Sequence, residues 1–313
     1  MSQTYGGQAV IEGVMIRGAR AMAIAVRRPD GSIALRGERL GALYTGVPRR
    51  IPLVRGVIVL WETLALGMRA LSWSAAIATD EVDEQGQPRS LGAFSWVAMA
   101  ISMLAGVALF FVLPVVATAW LEGSMHPFLV VTLEGLLRLA LLIGYIWAIG
   151  RSEEIRRVFQ YHGAEHMTIH AFEEGRELTV QAIRRLPKEH PRCGTSFLLT
   201  VGVVAIFVFA LLGSPPLWWR ITSRVVLVPL IASVAYEAIR FAGFHQRWPL
   251  IRWLFAGNIA LQYLTTRVPE DEHIQVAIAS LEHAVAEDAL ALAQSVPAAP
   301  ETLFDPLLDR PAD

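Results

Sequence analysis

Apolar residues run through this chain in long uncharged stretches that are separated by shorter polar segments. No charged residue occurs from position 90 to position 121. The apolar part of that stretch exceeds the roughly 20 residues that cross a bilayer as a helix. Three further apolar segments also predict spans: 127–150, where Glu134 and Arg138 can neutralise each other, 196–213, which lies in an uncharged window, and 221–243. With 94–121 they make four spans. The predicted fold class is therefore a mainly α membrane protein with about four transmembrane helices.

Two weaker apolar segments, 53–75 and 250–267, are interrupted by residues such as Arg55 and Asn258. This mixture favours helices that lie at the membrane interface or pack on the protein over helices that span the bilayer. An ordinary buried helix is the alternative for each segment. The second segment completes a predicted membrane domain over 90–267.

The remaining patterns predict an N-terminal cap, an amphipathic helix and a disordered tail. At 21–40 a Pro-Asp-Gly turn separates two extended runs, which indicates a β-hairpin. This hairpin and the interfacial helix would form a small cytoplasmic α+β cap over 1–75. Apolar residues recur at helical spacing within 268–296. The proline-rich tail 297–313 is typical of disorder.

Basic residues are concentrated in one loop, which predicts the orientation of the chain. The 151–192 loop contains eight Lys and Arg residues, whereas the connection at 122–127 contains none. Because basic loops stay in the cytoplasm, we expect this loop and both termini on the cytoplasmic side. With 54% hydrophobic residues and a formal net charge of −1, the expected partner is the lipid bilayer and not nucleic acid.

The segment 161–175, YHGAEHMTIHAFEEG, concentrates histidines and carboxylates in an otherwise apolar chain. On a helix, Glu173, His166 and His170 lie about 20°, 40° and 80° around the axis from His162, so these side chains share one face. His162 and His166 are one turn apart, a spacing at which two imidazoles bind one metal ion. His170 lies about 12 Å along the axis from His162, either beside the ligands or outside the site.

The order of His162, Glu165 and His166 also matches the H-x-x-E-H pattern of the inverted zincins, in which the histidines bind zinc and the glutamate activates water. Those enzymes take a third ligand from a distant acidic residue. Glu237, 71 positions after His166, is the candidate here. The pattern predicts Glu165 as the catalytic base, and surface histidines on a solvated helix are the alternative.

A second group of metal-binding residue types occurs in HPRCGTSF, directly before the third predicted span. The predicted topology places His190 and Cys193, the only cysteine, on the same side of the membrane as the first histidine group. Imidazole and thiolate are preferred zinc ligands, so a divalent metal, with zinc as the first choice, is the expected cofactor. Four bound ligands would close a structural site, whereas three would leave a position for water and hydrolysis. The alternatives for Cys193 are a buried small residue at a helix start and a nucleophile with His190 as its base.

Glycines frame a third candidate segment, 6–18, GGQAVIEGVMIRG. Three of its glycines permit tight turns or close approach of the backbone. Glu12 is a lone acid in an apolar run, which favours burial against a cation or a metal ion. A glycine-rich connection that docks onto the membrane domain is the alternative. We expect the segment to contact the 151–192 loop.

Taken together, GGQAVIEGVMIRG, YHGAEHMTIHAFEEG and HPRCGTSFLLTV resemble the motifs of the YqhQ-like family of bacterial membrane proteins, from Gly6 to about Leu281. The resemblance implies a bacterial inner-membrane protein. The family's label as a metal-dependent enzyme is itself inferred from the same histidines. The resemblance therefore implies more about fold and location than about chemistry.

Three functions are compatible with these residues. The first is a membrane-embedded zinc hydrolase with a cytoplasm-facing site and a peptide or lipid-linked substrate. The second is a non-catalytic scaffold or assembly factor in which a structural metal ties the 151–192 loop to the third span. The third is transport, which four spans would support only in a homo-oligomer. Its polar path would be lined by Glu134, Arg138, Glu237 and Arg240, although Glu134 and Arg138 at i,i+4 favour a structural ion pair.

Overall fold

The computed structural model describes residues 5–41, 44, 46, 48, 51–81, 93–191, 193–213, 215–245 and 247–294. The tail predicted to be disordered, 297–313, lies outside the described residues. The described chain consists mainly of helices and has an antiparallel sheet near its N-terminus. A mainly α fold with an N-terminal β element is thus confirmed.

The sheet has four strands in the order β1-β2-β3-β4. They are β1 (Gly6–Val10), β2 (Gly13–Arg17), β3 (Ala21–Arg27) and β4 (Ile33–Arg39). The hairpin predicted at 21–40 is formed by β3 and β4, which pair from Ala21 opposite Arg39 to Arg27 opposite Ile33. The alternative of a glycine-rich connection at 6–18 is wrong, because this segment pairs with itself as the hairpin of β1 and β2.

The turn of the first hairpin depends on Glu12, which has a positive φ of 50°. Residues other than glycine seldom adopt this conformation unless other contacts hold them in it. The Glu12 carbonyl accepts a hydrogen bond from the backbone N–H of Arg27 at 2.8 Å. Its carboxylate accepts two from the guanidinium of Arg157, at 2.7 and 2.6 Å. Glu12 therefore lies against a cation, one of the two partners expected for it.

The helices follow the sheet in sequence, and several begin at a capping side chain. They are α1 (Val54–Ala78), α2 (Ala93–Val107), α3 (Leu113–Ala119), α4 (Pro127–Ile149), α5 (Glu153–Glu173), α6 (Val180–Ile183), α7 (Gly194–Leu212), α8 (Leu217–Val226), α9 (Val228–Phe244), α10 (Pro249–Leu254), α11 (Ala256–Thr265) and α12 (Asp271–Ala293). A π-helical segment, Ala108–Val112, joins α2 to α3. The 151–192 loop of the sequence prediction thus contains a long helix, α5.

Helices cover both faces of the sheet. Side chains alternate along β3, so Ala23 and Ala25 pack on α5 and α12, whereas Met22 and Ile24 pack on α1. The segment 53–75 is accordingly a helix packed on the protein, one of the expected alternatives, and it buries Trp73 against the sheet. The amphipathic C-terminal segment forms α12, which buries one stripe of apolar side chains against β3.

Two helical segments, Trp96–Ala119 and Pro127–Ile149, are long and apolar enough to cross a membrane. A third candidate is the pair α8 and α9, which bends by 51° at its break. The break coincides with Pro229, whose ring cannot continue the hydrogen bonding of the preceding turn. The apolar helix Phe197–Leu212 is shorter. The part of the chain that the structure describes thus has two candidate membrane spans, or three if the bent pair crosses as one, which indicates a membrane protein.

One buried carboxylate in the second span gathers three arginines. Glu134 accepts hydrogen bonds from Arg138 at 2.9 Å, as the i,i+4 spacing predicts, and also from Arg220 and Arg224 of α8 at 2.9 to 3.0 Å. Arg220 also pairs with Glu122. A buried charge is tolerated only when it is paired, so this cluster joins α4 to α8.

Candidate metal centre

The helix α5 packs on the sheet beside α12 and brings most of the first histidine group into the interior. The helix begins at Ser152, whose side chain accepts a hydrogen bond from the N–H of Ile155 at 3.3 Å. Gly163 faces the chain near Arg267, and a Cβ at this glycine would lie 2.2 Å from the Arg267 carbonyl oxygen. The glycine of the YHGAEH motif therefore permits a close crossing that any side chain would prevent. Glu165 and His166 are 4% and 2% exposed.

Two imidazoles of α5 are oriented by backbone carbonyls. Nδ1 of His162 lies 2.8 Å from the carbonyl oxygen of Thr265, and Nδ1 of His166 lies 2.6 Å from that of Lys188. A carbonyl only accepts hydrogen bonds, so Nδ1 of each ring donates and Nε2 is the nitrogen that a neutral ring would offer to a metal ion. Metal-binding histidines in proteins commonly have this arrangement.

Cys193 completes a group of three potential ligands. It caps the start of α7, where its Sγ accepts from the N–H of Thr195 at 3.4 Å. The same Sγ lies 3.2 Å from Nε2 of His162. One ligand atom from each of His162, His166 and Cys193 lies within 4.8 Å of the other two. Residues 31 positions apart in sequence thus meet, as the shared topology predicted.

His190 borders this group without belonging to it. Its Nε2 lies 3.4 Å from a carboxylate oxygen of Glu173. Its backbone is fixed by Gln262, whose side chain accepts from the His190 N–H at 2.8 Å and donates to the His190 carbonyl at 2.9 Å. The ring centroids of His166 and His190 are 5.8 Å apart.

Glu165 is the acid beside the three ligands. Its Oε2 lies 3.5 Å from Nε2 of His166, and it accepts a hydrogen bond from the backbone N–H of Gly7. Burial raises the pKa of Glu165 to about 7, although His162 and the Gly7 hydrogen bond act in the opposite direction. Such a carboxyl exchanges a proton near neutral pH.

A small cavity of about 30 Å³ opens between the sheet and these side chains. Tyr5, Gly7, Glu165 and His190 line it, together with His166 and Cys193. This volume holds a water molecule or an ion. The strand β1 therefore forms one wall of the site, and the expected contact between the 6–18 segment and the 151–192 loop is confirmed.

The other predicted site residues make contacts of their own. Nε2 of His170 donates to the carbonyl of Glu189 at 2.8 Å, and the His170 ring lies 4.6 Å from that of His190. Glu237 accepts from Nε of Arg55 at 2.6 Å, an ion pair that joins α9 to α1. His170 thus neighbours the site, while Glu237 is engaged in a different ion pair.

The sequence did not lead us to the residues of α11 that hold the histidines of the site in position. Gln262 is fully buried, and Thr265 supplies the carbonyl that orients His162. Polar residues in the apolar segment 250–267 were noticed only as interruptions of a helix. A buried glutamine that needs partners was the available signal.

The donor set fits zinc. A tetrahedral zinc ion with Zn–N near 2.1 Å and Zn–S near 2.3 Å holds N and S roughly 3.6 Å apart. The Nε2–Sγ distance of 3.2 Å between His162 and Cys193 is close to that separation. Two imidazoles and a thiolate would leave one coordination position of the ion for another group.

The fold and this cluster define a membrane protein with a buried histidine and cysteine centre beneath an N-terminal antiparallel sheet. The family described as "Protein of unknown function (DUF1385)" matches residues 51–287. The "Uncharacterized protein YqhQ" of Bacillus subtilis (strain 168) is 34% identical over 297 residues, which cover 91% of this chain and 93% of the relative. The chain belongs to the DUF1385 family, so the YqhQ-like resemblance is confirmed. No solved structure matches it significantly.

Proposed function

We propose that the protein is a zinc-dependent hydrolase of the bacterial inner membrane. The observation that carries this proposal is the cluster of two imidazoles and one thiol sulfur, from His162, His166 and Cys193, beside the buried Glu165. Three protein ligands leave one position for water, which is the arrangement of catalytic zinc sites. A fourth protein ligand at bonding distance would instead complete the coordination shell and indicate a structural metal ion.

We also propose a complete membrane topology, which goes beyond the two or three candidate spans. It has four spans, with both termini and the metal centre on the cytoplasmic side. The support is the concentration of Lys and Arg in 151–192 and their absence from 122–127. Reporter fusions at 175 and at the C-terminus should behave as cytoplasmic, and fusions at 124 and 215 as external. An external signal at 175 would contradict the arrangement.

Glu165 is the proposed base. A zinc ion held by His162, His166 and Cys193 would supply a water molecule of lowered pKa. The Glu165 carboxylate, which accepts a hydrogen bond from the Gly7 N–H, would take a proton from the attacking water. As the water oxygen bonds to the electrophilic carbon or phosphorus and the bond from that atom to the leaving group breaks, Glu165 would pass the proton to the leaving group. His162 and His166 hold their rings in position through their Nδ1–H bonds to Thr265 and Lys188.

Zinc content of the purified protein tests this assignment. We expect wild type and Glu165→Gln to contain zinc and His166→Ala to lose it, because only the last change removes a ligand. His283→Ala on α12 is the matched control and should keep the metal. Glu165→Gln should also fail to restore function in cells that lack the protein. Zinc retained in His166→Ala with full function in cells would reject the metal centre.

A structural metal in a scaffold or assembly factor is the second candidate, because His190 lines the same cavity. Rotation of its ring would supply a fourth ligand. X-ray absorption at the zinc edge distinguishes the two: three protein ligands and one light oxygen atom favour catalysis, and four protein ligands favour the scaffold. Transport is not proposed, because Glu134 and Glu237 are both held in ion pairs.

A further inference from the structure

A second and larger cavity, of about 470 Å³, lies between α9, α10 and α11. This volume falls within the range of sites that bind small molecules, about 300–1,000 Å³. Most of its lining is apolar, with Ile239, Ile251 and Phe255 among the contributing side chains. The cavity is separate from the small one at the metal centre, since the two share no lining residue.

The helix α11 connects this cavity to the metal centre. Ile259 and Tyr263 line the cavity, whereas Gln262 and Thr265, on the same helix, hold His190 and His162. Pro191 also lines the cavity and follows His190 directly in the HPRC segment. A molecule in the cavity would therefore contact the chain segment that carries Cys193 of the metal centre and its neighbour His190.

The charge of the lining favours an anionic ligand. Arg252 is the charged residue among the described residues of the lining, and no acid is among them. Lys188 lies over the ring of Tyr263, 4.8 Å from its centroid, but is already paired with Glu189 at 2.8 Å. The wall formed by α9 belongs to the bent candidate span. An apolar cavity beside a membrane helix, with an arginine in its lining, suits a molecule with a hydrocarbon chain and a negative headgroup.

We propose that this cavity binds the hydrocarbon chain of an anionic, lipid-linked substrate drawn from the bilayer, with its headgroup directed to the metal centre. The substrate assignment rests on the proposed hydrolase function. Arg252 would hold the headgroup, and the hydrolysed bond would lie between the headgroup and the chain.

Photolabelling tests the cavity directly. The probe is hexadecyl phosphate with a diazirine in its chain, added to the full-length protein in phosphatidylcholine nanodiscs. No heavy atom of the described residues lies within 4 Å of a Cβ built at Gly243, so Gly243→Phe should fill the cavity without displacing the backbone. Ala260→Phe fills it from α11. The matched control is Leu250→Phe, on an exposed residue of α10 that does not line the cavity.

We expect wild type and Leu250→Phe to be labelled on α9 or α11, and both filled variants to lose labelling about tenfold, equivalent to about 1.4 kcal/mol of binding. Arg252→Gln should weaken labelling by the phosphate probe, and the corresponding hexadecanol probe should label weakly throughout. Equal labelling of wild type and both filled variants, or equal labelling by the alcohol, would overturn the proposal.

Zinc measured on the same samples separates this proposal from the hydrolase assignment. Gly243→Phe should keep its zinc and lose labelling, whereas His166→Ala should lose zinc and keep labelling. Labelling of a wild-type protein that binds no zinc would overturn the role of the amphiphile as a substrate.

Discussion

Replacing Gly7 by alanine tests how closely β1 is fitted into the site. A Cβ at Gly7 would lie 2.4 Å from the carbonyl oxygen of Met15 in β2 and 3.1 Å from Oε1 of Glu165. Carbon and oxygen approach to about 3.3 Å in close contacts, so the first overlap amounts to almost 1 Å. Because the Met15 oxygen belongs to the backbone, the paired strands must move apart to remove it. Gly6 in the same strand has no atom within 4 Å of its Cβ position and is the matched control.

The expected effect is the difference in the free energy of unfolding between the Gly7→Ala and Gly6→Ala variants. Either Gly→Ala change restricts the unfolded chain and stabilises the folded state by about 0.4–1 kcal/mol, which cancels in the comparison. Overpacking at a site that must shift costs about 1–3 kcal/mol. We therefore expect Gly7→Ala to be less stable than Gly6→Ala by about 2 kcal/mol, or roughly 4–8 °C in melting temperature.

Thermal unfolding followed by tryptophan fluorescence in detergent measures this difference. The same strand movement should displace Glu165, since its hydrogen bond from the Gly7 N–H depends on the position of β1. Equal melting temperatures for Gly6→Ala and Gly7→Ala would refute the close packing of β1 on Glu165.

Three further predictions use the same unfolding assay. Asp288→Asn should destabilise the fold by about 2 kcal/mol, because the buried carboxylate accepts N–H bonds from Ala19, Arg20 and Ala21 at 2.7 to 2.8 Å and an amide keeps only one acceptor oxygen. Glu134→Gln should cost about 3–5 kcal/mol, since three arginines lose their shared countercharge. The Arg157 hydrogen bonds hold the pKa of Glu12 below its usual 4.5, so stability from this pair should be lost as the pH falls below that value. The loss is about 0.5–1 kcal/mol for this half-exposed pair and should be missing in Glu12→Gln.

The control for Asp288→Asn is Glu282→Gln on the same helix. It changes an exposed acid of α12 and should leave the melting temperature unchanged. An Asp288→Asn protein as stable as this control would contradict the role of the carboxylate. Parallel pH profiles for wild type and Glu12→Gln would contradict the ion pair, and a stable Glu134→Gln protein would mean that water or other groups neutralise the arginines.

Short sequence patterns predicted those elements whose structure depends mainly on residues close together in the chain. The Pro-Asp-Gly turn located the hairpin of β3 and β4, and the length of the apolar segments located the candidate spans Trp96–Ala119 and Pro127–Ile149. The hairpin of β1 and β2 was missed because glycine-rich segments have low strand propensity and pairing is decided by the partner strand. The bend at α8 and α9 was missed because hydropathy averages over a proline break.

The candidate site was predictable in its residue types and not in its geometry. Spacing and topology brought His162, His166 and Cys193 together, and these three side chains do meet. Spacing could not reveal that the His190 ring turns toward Glu173, or that Arg55 engages Glu237. Those choices depend on side chains distant in sequence, whose positions no periodicity encodes.

The position of α12 on the sheet has a consequence for synthesis. The strands leave the ribosome early, and one apolar face of β3 is then exposed. The helix α12, which covers this face, is synthesised much later. The N–H of Ala21 and the carboxylate of Asp288 that binds it are 267 residues apart. At a translation rate of about 5–20 residues per second, α12 is completed on the order of 10–50 s after the sheet. During that interval a holdase chaperone or the membrane surface must shield the bare face, and a ribosome that stalls before α12 releases a chain that exposes this face to proteases.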